Sequence, residues 1–244
     1  MRAGISTASS SSSLRVKFLL TADPDVYAPM LAVSSTSTRA FCALHGFECE
    51  TYVGLKYGRT PWHARFNRIA LINEQLDAGY DGWLVFLDTD AFVVDLRFDL
   101  AAYLRRFEDC AMILRPAIPG AQGTARINSG VLLINAGDPL AVRAMRGWRR
   151  LVDVAGRVGQ FAVNPKYCVV SDQKLLRFLL QFSPAVRRAT HYESPLLING
   201  ADASFIAHYL LSDVPDLDMR VAMIAARIDR AFVEAGVDPA PWRG

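Results

Sequence analysis

Residues 82–94 read Gly-Trp-Leu-Val-Phe-Leu-Asp-Thr-Asp-Ala-Phe-Val-Val. The five consecutive apolar residues from Trp83 to Leu87 predict a strand buried on both faces, as in the centre of a parallel sheet. Asp88 and Asp90 follow at its carboxyl end, where open α/β sheets bind their ligands. Because Mg²⁺ and Mn²⁺ prefer oxygen ligands, the pair is a candidate cation site. The alternative is a pair of turn aspartates, since acidic pairs are common in loops.

Predicted strands and helices alternate on both sides of this stretch. The predicted strands cover residues 16–20, 47–53, 83–87, 91–94, 111–114 and 131–134. The predicted helices cover residues 29–45, 62–78, 100–107, 141–154, 172–182 and 217–235. This alternation predicts an α/β fold, a single Rossmann-like domain over residues 14–244 with a mostly parallel central sheet flanked by helices. Residues 1–13, which include the serine run 9–13, are predicted to be a flexible tail.

The last predicted helix, residues 217–235, is amphipathic. Its expected apolar face comprises Met219, Ala222, Met223, Ala226 and Ile228. Its few basic residues favour packing on the domain over contact with a membrane. They are Arg220, Arg227 and Arg230.

Composition excludes several classes of protein. The chain has 244 residues, 52% of them hydrophobic, enough to bury a core without a disulfide or a structural metal. Its 27 basic and 24 acidic residues are scattered, which argues against a nucleic-acid partner. No run approaches the roughly 20 apolar residues that span a membrane, and no apolar signal segment follows Arg2. We expect a soluble, cytoplasmic protein without a transmembrane segment.

The spacing of the cysteines does not fit a metal site, and several common functional motifs are absent. The four cysteines, Cys42, Cys49, Cys110 and Cys168, match no zinc or redox spacing, and we expect free thiols. No GxGxxG follows the first strand, and no GxxxxGK[ST] or GxSxG occurs. The sequence therefore lacks the signatures of dinucleotide binding, of P-loop nucleotide hydrolysis and of α/β-hydrolase chemistry.

Six segments together resemble a known family in sequence order. They are Gly82–Val94, Ser37–Phe47, Trp62–Arg65, Asn128–Asn135, Ser171–Gln173 and Phe205–Tyr209. They are similar to the DxD strand, the early His-Gly-Tyr helix, the Trp-x-Lys segment, the Asn-x-Gly strand, the Asp-Gln pair and the late Val-x-His-Phe of GT-A glycosyltransferases. The resemblance covers about residues 15–212. It is greatest to family 34, the galactosyl-, mannosyl- and xylosyltransferases, followed by the glycogenin-like family 8.

The resemblance implies a single GT-A domain with a metal site. Asp90 would ligate the metal, Asp88 would share it or hold the ribose, and His208 would be the third protein ligand. A histidine in an apolar run is by itself more commonly a core residue. Imidazole suits Mn²⁺ better than Mg²⁺, although either ion fits the carboxylates.

The resemblance also places residues around the donor. Arg65 or Arg68 would face the diphosphate, where a guanidinium matches phosphate oxygens, and Asp23 would contact the nucleotide. Asp172 and Gln173 would lie beside the sugar and the bond that breaks, where they could steady an oxocarbenium-like centre.

Plainer alternatives exist for the residues near the sugar. Asn128 and Ser129 would bind sugar hydroxyls, or would simply form the loop that enters a strand. Asp172 could instead be only the first-turn acid of a helix capped by Ser171.

The expected reaction is transfer of a sugar from a nucleotide sugar, with a uridine diphosphate sugar as the expected donor. The acceptor would be a hydroxyl of a carbohydrate or another molecule, and the resemblance implies retention at the anomeric carbon. Replacing Asp90 by alanine should abolish metal-dependent donor binding and spare the fold, because a strand-end carboxylate is not part of a core.

Two alternatives stay open. The family has a glycine shortly after its late histidine, whereas Tyr209-Leu210-Leu211-Ser212 follows here. A diphosphate contact could therefore be missing, leaving a degenerate domain that binds a carbohydrate or a partner. A sugar nucleotidyltransferase is the other alternative. It would carry a glycine-rich basic loop after the first strand, where Thr21-Ala22-Asp23-Pro24 stands.

Overall fold

The computed structural model describes residues 14–116, 127–157 and 171–243. The predicted tail, residues 1–13, and Cys168 lie outside these ranges. Within them, Cys42, Cys49 and Cys110 are free thiols, as expected. No helix in the described ranges is long and apolar enough to cross a membrane.

The strands of the described ranges are β1 (Val16–Ala22), β2 (Glu48–Val53), β3 (Trp83–Leu87), β4 (Ala91–Val93), β5 (Met112–Pro116), β6 (Ile127–Asn135), β7 (Thr190–Tyr192), β8 (Ile198–Gly200) and β9 (Ile206–His208). The helices are α1 (Ala28–His45), α2 (Asn67–Asp77), α3 (Leu100–Arg105), α4 (Pro139–Arg157), α5 (Asp172–Phe182), α6 (Pro184–Arg188) and α7 (Leu217–Ala235).

The central sheet has six strands in the order β2-β1-β3-β6-β5-β7. β1 is parallel to β2 and β3, β5 is parallel to β7, and β6 is antiparallel to β3 and β5. All five residues of β3 are buried, because neighbouring strands cover its edges and helices cover both faces. The predicted α/β fold with a mostly parallel sheet is confirmed.

Two apolar cores lie on opposite faces of the sheet. α1 and α7 cover one face, with Phe41, Phe205 and Phe232 buried beneath them. α2, α4 and α5 cover the other face, with Trp148 and Phe66 at its centre. The helices and the twisted sheet therefore leave the carboxyl ends of β1 and β3 accessible at one edge of the molecule.

A second, small sheet brings residues from distant parts of the chain to this edge. Its order is β4-β9-β8, with β4 antiparallel to β9. The register pairs Ala91 with His208. The residue that directly follows Asp90 is thus paired across the sheet with a histidine more than a hundred positions later.

Some local predictions were wrong in instructive ways. Residues Pro61–Phe66 form a 3-10 turn before α2, so the predicted helix 62–78 is two elements. Residues 128–130 lie inside β6 rather than in a loop that enters it. α6, β7, β8 and β9 were not predicted, because three to five residues are too short to show a periodic pattern.

The apolar face predicted for the last helix is also wrong. α7 has the predicted bounds, but it buries Arg220, Ile224, Ile228, Ala231 and Phe232. Met219 and Met223 are 60% and 41% exposed. The helix is rotated so that a buried arginine, and not a methionine, begins the face that packs against α1.

Candidate active site

A cleft of about 500 Å³ lies at the carboxyl ends of β1 and β3. The loops after these strands form its floor. The 3-10 turn, α2, β6, the start of α5 and the start of α7 form its walls. Its charged and polar lining comprises Asp23, Arg65, Arg68, Asp88, Thr89, Asp90, Ser129, Asp172, Gln173 and Arg220, and Tyr27, Trp62 and Leu211 supply apolar surface.

Asp90 lies between two cationic side chains. One carboxylate oxygen is 2.9 Å from His208 Nε2, and the other is 3.1 Å from Arg220 Nη1. The side chain of Arg220 is only 1% exposed. The backbone carbonyl of Asp90 accepts a hydrogen bond from the N–H of Tyr209 at 3.1 Å, which fixes the distance between β9 and the DxD turn.

Asp88 shares one buried arginine with a second carboxylate. Arg68 Nη2 is 2.5 Å from Asp88 Oδ1, and Arg68 Nε is 3.3 Å from Asp172 Oδ2. Arg68 Nη1 donates to the carbonyl oxygen and to Oγ of Ser129, at 2.5 and 3.0 Å. The guanidinium therefore links β3, β6 and α5. Arg68 is thus a buried structural residue, and not only a candidate phosphate contact.

The side chains of Asp88, Asp90 and His208 each offer a ligand atom, and these atoms lie within 4.8 Å of one another. Two carboxylates and one imidazole form a donor set that fits Mn²⁺ and also accepts Mg²⁺. One contact determines which nitrogen of the imidazole faces the carboxylates: His208 Nδ1 lies 2.6 Å from Asn199 Oδ1. An amide oxygen only accepts, so Nδ1 carries the proton and Nε2 is the nitrogen that faces the carboxylates.

The backbone around His208 is specialised to hold this geometry. Asn199 is fully buried and has a φ of +64°, in the left-handed region that asparagine tolerates better than other non-glycine residues. On the other side of the ring, a Cβ at Gly130 would lie 2.2 Å from His208 Cε1. Only glycine lets β6 pass this close to the imidazole.

The charged groups of the cleft have shifted pKa values. Burial raises the pKa of Asp88, and neighbouring Asp90 adds to the rise while Arg68 opposes it; the net direction is upward. Burial also acts to raise the pKa of Asp90, but His208 and Arg220 outweigh it and hold that pKa below its usual value. For His208 burial lowers the pKa, and the attraction of Asp90 raises it by more.

Ser129, Asp172 and Gln173 meet at one wall of the cleft. Ser129 Oγ donates to Asp172 Oδ2 at 3.2 Å, and the backbone N–H of Ser129 donates to Gln173 Oε1 at 3.3 Å. Ser171 caps α5 by accepting from the N–H of Lys174. The helix-capping interpretation of this segment is therefore correct for Ser171, while Asp172 and Gln173 also reach the cleft.

The other predicted residues differ in their placement. Arg65 lines the cleft with its guanidinium 4.4 Å from the Trp62 ring centre. The Asp23 carboxylate accepts from three backbone N–H groups, those of residues 25–27, and so holds the turn before α1. Asn128 is set back from the cleft lining: its Oδ1 accepts from the N–H of Gly130 and from Asn199 Nδ2. Its contacts buttress the partner of His208.

Sequence reasoning missed Arg220 and Asn199. The available signal for Arg220 was a charged residue four positions before Ile224, on the stripe that the helix buries. The signal for Asn199 was weaker, because Asn199-Gly200 after an apolar pair predicts only a turn.

Solved structures that are similar to this chain include two glycosyltransferases. One involved in the glycosylation of the major capsid of PBCV-1 matches with a TM-score of 0.63 and 13% identity, over 86% of this chain and 98% of that chain. GlyE of Streptococcus pneumoniae TIGR4 matches with a TM-score of 0.50 and 14% identity, over 92% of this chain and 66% of that chain. The chain has a glycosyltransferase fold. At these identities the likeness establishes the fold alone.

Comparison by sequence adds no relative. No protein-family model and no curated protein matches this chain. The assignment of a function therefore depends on the chemistry of the cleft.

Proposed function

We propose that this protein is a metal-dependent glycosyltransferase. It would move a sugar from a nucleoside diphosphate sugar, with a uridine diphosphate sugar as the expected donor, to a hydroxyl of a carbohydrate or another acceptor. The observation that carries the proposal is the convergence of the ligand atoms of Asp88, Asp90 and His208 beside a cleft. Both aspartates and two buried arginines line this cleft. The fold supports it, because its solved neighbours include glycosyltransferases.

The metal would be Mn²⁺ or Mg²⁺, held by Asp88, Asp90 and His208. A divalent cation there supplies charge neutralisation of the leaving diphosphate. Asp88 keeps one oxygen free of Arg68, and its side chain is 28% exposed, the most accessible of the three ligands. Asn199 fixes the orientation of His208, so that the protein need not reorganise its imidazole when the ligand shell forms.

Arg220 is our candidate for the diphosphate contact that the residues after His208 do not supply. It lines the cleft, and its Nε is buried without a hydrogen-bond partner among the described residues. A guanidinium with a free N–H next to the metal ligands suits a phosphate oxygen. Arg65, whose Nε also lacks a partner in the described ranges, would contact the diphosphate from the opposite wall.

The wall formed by Ser129, Asp172 and Gln173 would hold the sugar. Asp172 is oriented by its ion pair with Arg68, so its carboxylate would interact with the positive charge that develops at the anomeric carbon. Ser129 and Gln173 would bind sugar hydroxyls. Retention of configuration stays a proposal that rests on the resemblance to family 34.

The test is turnover of a panel of uridine and guanosine diphosphate sugars. We expect release of the nucleoside diphosphate from one donor class with Mn²⁺, less with Mg²⁺ and none with a chelator. Asp88→Asn should abolish release. Asp81→Asn, which removes an exposed carboxylate outside the cleft, should leave it unchanged.

Other outcomes would decide between the alternatives. Metal-dependent binding without turnover of any donor, with or without simple sugars as acceptors, would support a binding module. Formation of a nucleotide sugar from a sugar phosphate and a nucleoside triphosphate would support a nucleotidyltransferase. Turnover that survives chelation would contradict the proposal.

A further inference from the structure

Basic side chains are concentrated in one layer of the fold. α4, α5 and α6 together contain nine arginine and lysine residues and two aspartates. One of the aspartates, Asp172, is buried against Arg68. The rest of the chain has 18 basic and 22 acidic residues. The basic residues are therefore clustered, contrary to the expectation from the sequence that they are scattered. The net charge of +3 conceals a strongly cationic layer.

This layer contains an open apolar groove between α4 and α6, with a volume of about 560 Å³. A Cβ at Gly147 would lie 3.1 Å from Leu179 Cδ1, so the small residue lets α4 and α5 pack closely and leaves the groove beside them. Its apolar floor comprises Leu140, Ala144, Leu179, Pro184 and Val186, and its rim comprises Arg143, Arg146 and Arg150.

Four arginines of this layer are available to an external partner. Two others, Arg146 and Arg149, pair with Asp77 of α2. Arg143, Arg150, Arg177 and Arg188 are exposed and form no ion pair with any residue in the described ranges. Solvent-exposed cations without internal partners do not stabilise the fold, and they repel one another unless anions approach.

Exposed aromatic side chains lie on the same layer. Phe178 and Phe182 occupy one face of α5, a turn apart, with ring centres 4.6 Å from each other. They are 51% and 65% exposed, and Val154 near the end of α4 is 57% exposed. An adjacent pair of uncovered phenylalanines is costly in water unless a partner covers it.

We propose that the layer formed by α4, α5 and α6 docks on a membrane surface that contains anionic lipids. The unpaired arginines match lipid phosphates, and Phe178 and Phe182 would enter the boundary between headgroups and acyl chains. Charge alone would also suit a nucleic acid. The aromatic pair and the apolar groove favour a bilayer, because only a bilayer offers both anions and an apolar phase.

Docking in this way keeps the cleft accessible. α5 begins in the cleft wall at Asp172 and ends at Phe182. These residues are separated by about 15 Å along the helix, at 1.5 Å per residue. The proposed docking surface and the cleft are therefore neighbouring but separate, and membrane binding does not depend on the proposed transfer reaction.

The experiment is co-sedimentation of the full chain with two kinds of vesicle, pure phosphatidylcholine and equal parts of phosphatidylcholine and phosphatidylglycerol. We expect binding to the mixed vesicles, release by high salt, and little binding to pure phosphatidylcholine. The double variant Arg143→Gln/Arg150→Gln should bind about 25-fold more weakly, since each arginine near an anionic surface contributes roughly a fivefold factor.

A matched control removes the same charge elsewhere. Arg105 and Arg230 are exposed on α3 and α7, and Arg105→Gln/Arg230→Gln should change binding less than twofold. Phe178→Ser/Phe182→Ser should weaken binding, while Val233→Ser, at a site that is 80% exposed on α7, should not. Calorimetric binding of uridine diphosphate with Mn²⁺ checks that every variant is folded, and far-ultraviolet circular dichroism repeats the check if nucleotide binding fails.

Four results would overturn the proposal. One is equal binding to both kinds of vesicle, or to neither, and another is equal loss in the control arginine variant. A third is a dimer in light scattering that the phenylalanine variant disrupts, which would assign the face to a second copy of the chain. The fourth is tighter, equally arginine-dependent binding to RNA than to mixed vesicles.

Discussion

Asp88 and Asp90 are one residue apart on the same turn, yet their electrostatic surroundings are opposite. Asp88 shares a single cation, Arg68, with the carboxylate of Asp172. Asp90 forms ion pairs with two cationic side chains, those of His208 and Arg220. Burial raises the pKa of Asp88, because Arg68 offsets it only in part, whereas His208 and Arg220 outweigh burial and lower the pKa of Asp90.

This contrast shows what a short motif does not determine. The DxD spacing places both carboxylates at the end of β3, but partners from distant parts of the chain determine which one contributes to stability. Arg68 comes from α2, twenty positions before Asp88, whereas Arg220 comes from α7, 130 positions after Asp90. We expect Asp90 to anchor the site and Asp88 to be the ligand that responds most easily to a metal.

The largest difference should appear when each aspartate is made neutral. Asp90→Asn leaves the buried guanidinium of Arg220 without its carboxylate and removes the attraction that raises the pKa of His208. We expect it to lower the free energy of unfolding by about 3–5 kcal/mol. Asp88→Asn should be nearly neutral, because a raised pKa means that ionisation of this carboxyl group costs the folded state free energy, and because Arg68 keeps its ion pair with Asp172. Urea unfolding at neutral pH in the presence of a chelator measures both.

Equal destabilisation by the two substitutions would refute the contrast. The prediction also revises the sequence-based expectation that replacing Asp90 spares the fold. That expectation treated a strand-end carboxylate as peripheral, whereas the Asp90 side chain is only 17% exposed.

The next effect should come from the residue that orients His208. Asn199→Gly removes the amide that accepts from Nδ1 and keeps a residue that tolerates the φ of +64°. We expect Mn²⁺ affinity to fall roughly 10- to 100-fold, the usual effect of losing a hydrogen-bond partner of a metal ligand. Calorimetric titration with Mn²⁺ measures the loss. An unchanged affinity would mean that Asn199 serves only the fold of β8.

A smaller effect should separate Arg220 from its neighbours on α7. Arg220→Gln should weaken uridine diphosphate binding in the presence of Mn²⁺ about tenfold, the value of one charge-assisted hydrogen bond. Arg227→Gln, on the same helix but outside the cleft, is the control and should change affinity little. If both variants bind equally well, Arg220 is only a structural partner of Asp90.

The smallest predicted effect is that of Arg65. Its guanidinium lies at the cleft wall against Trp62 and carries no ion pair within the described ranges. Arg65→Gln should weaken nucleotide binding about two- to fivefold, as expected for a partly exposed charge, with Arg59→Gln as the control. A loss larger than that of Arg220→Gln would reverse our assignment of the main diphosphate contact.

The parts of the site that follow long, periodic elements could be predicted from the sequence. The apolar run Trp83–Leu87 is long enough to identify a central strand, and a strand end fixes where Asp88 and Asp90 lie. The bounds of α7 and α5 also follow from their periodic patterns. For the same reason Asp172 and Gln173 could be placed at the start of a helix.

The parts that depend on tertiary register could not be predicted. β9 has three residues, and only its pairing with β4 brings His208 to Asp90. The predicted apolar face of α7 included Met219 and Met223, whereas the helix buries Arg220. Asn128 was expected to bind sugar hydroxyls, which stays a prediction, but its contact with Asn199, whose Nδ2 donates to the Asn128 carbonyl oxygen, was not foreseen. In each case the deciding contact joins residues that are distant in the chain.

The central claim is that Asp88, Asp90 and His208 bind a metal together with a nucleoside diphosphate. Calorimetric titration of the wild-type protein and of Asp90→Asn with uridine diphosphate, with and without Mn²⁺, tests it most directly. We predict binding to the wild type only with Mn²⁺, and at least a 100-fold loss in a variant that circular dichroism shows to be folded. Binding that is equally tight without metal, or that survives in Asp90→Asn, would contradict the account.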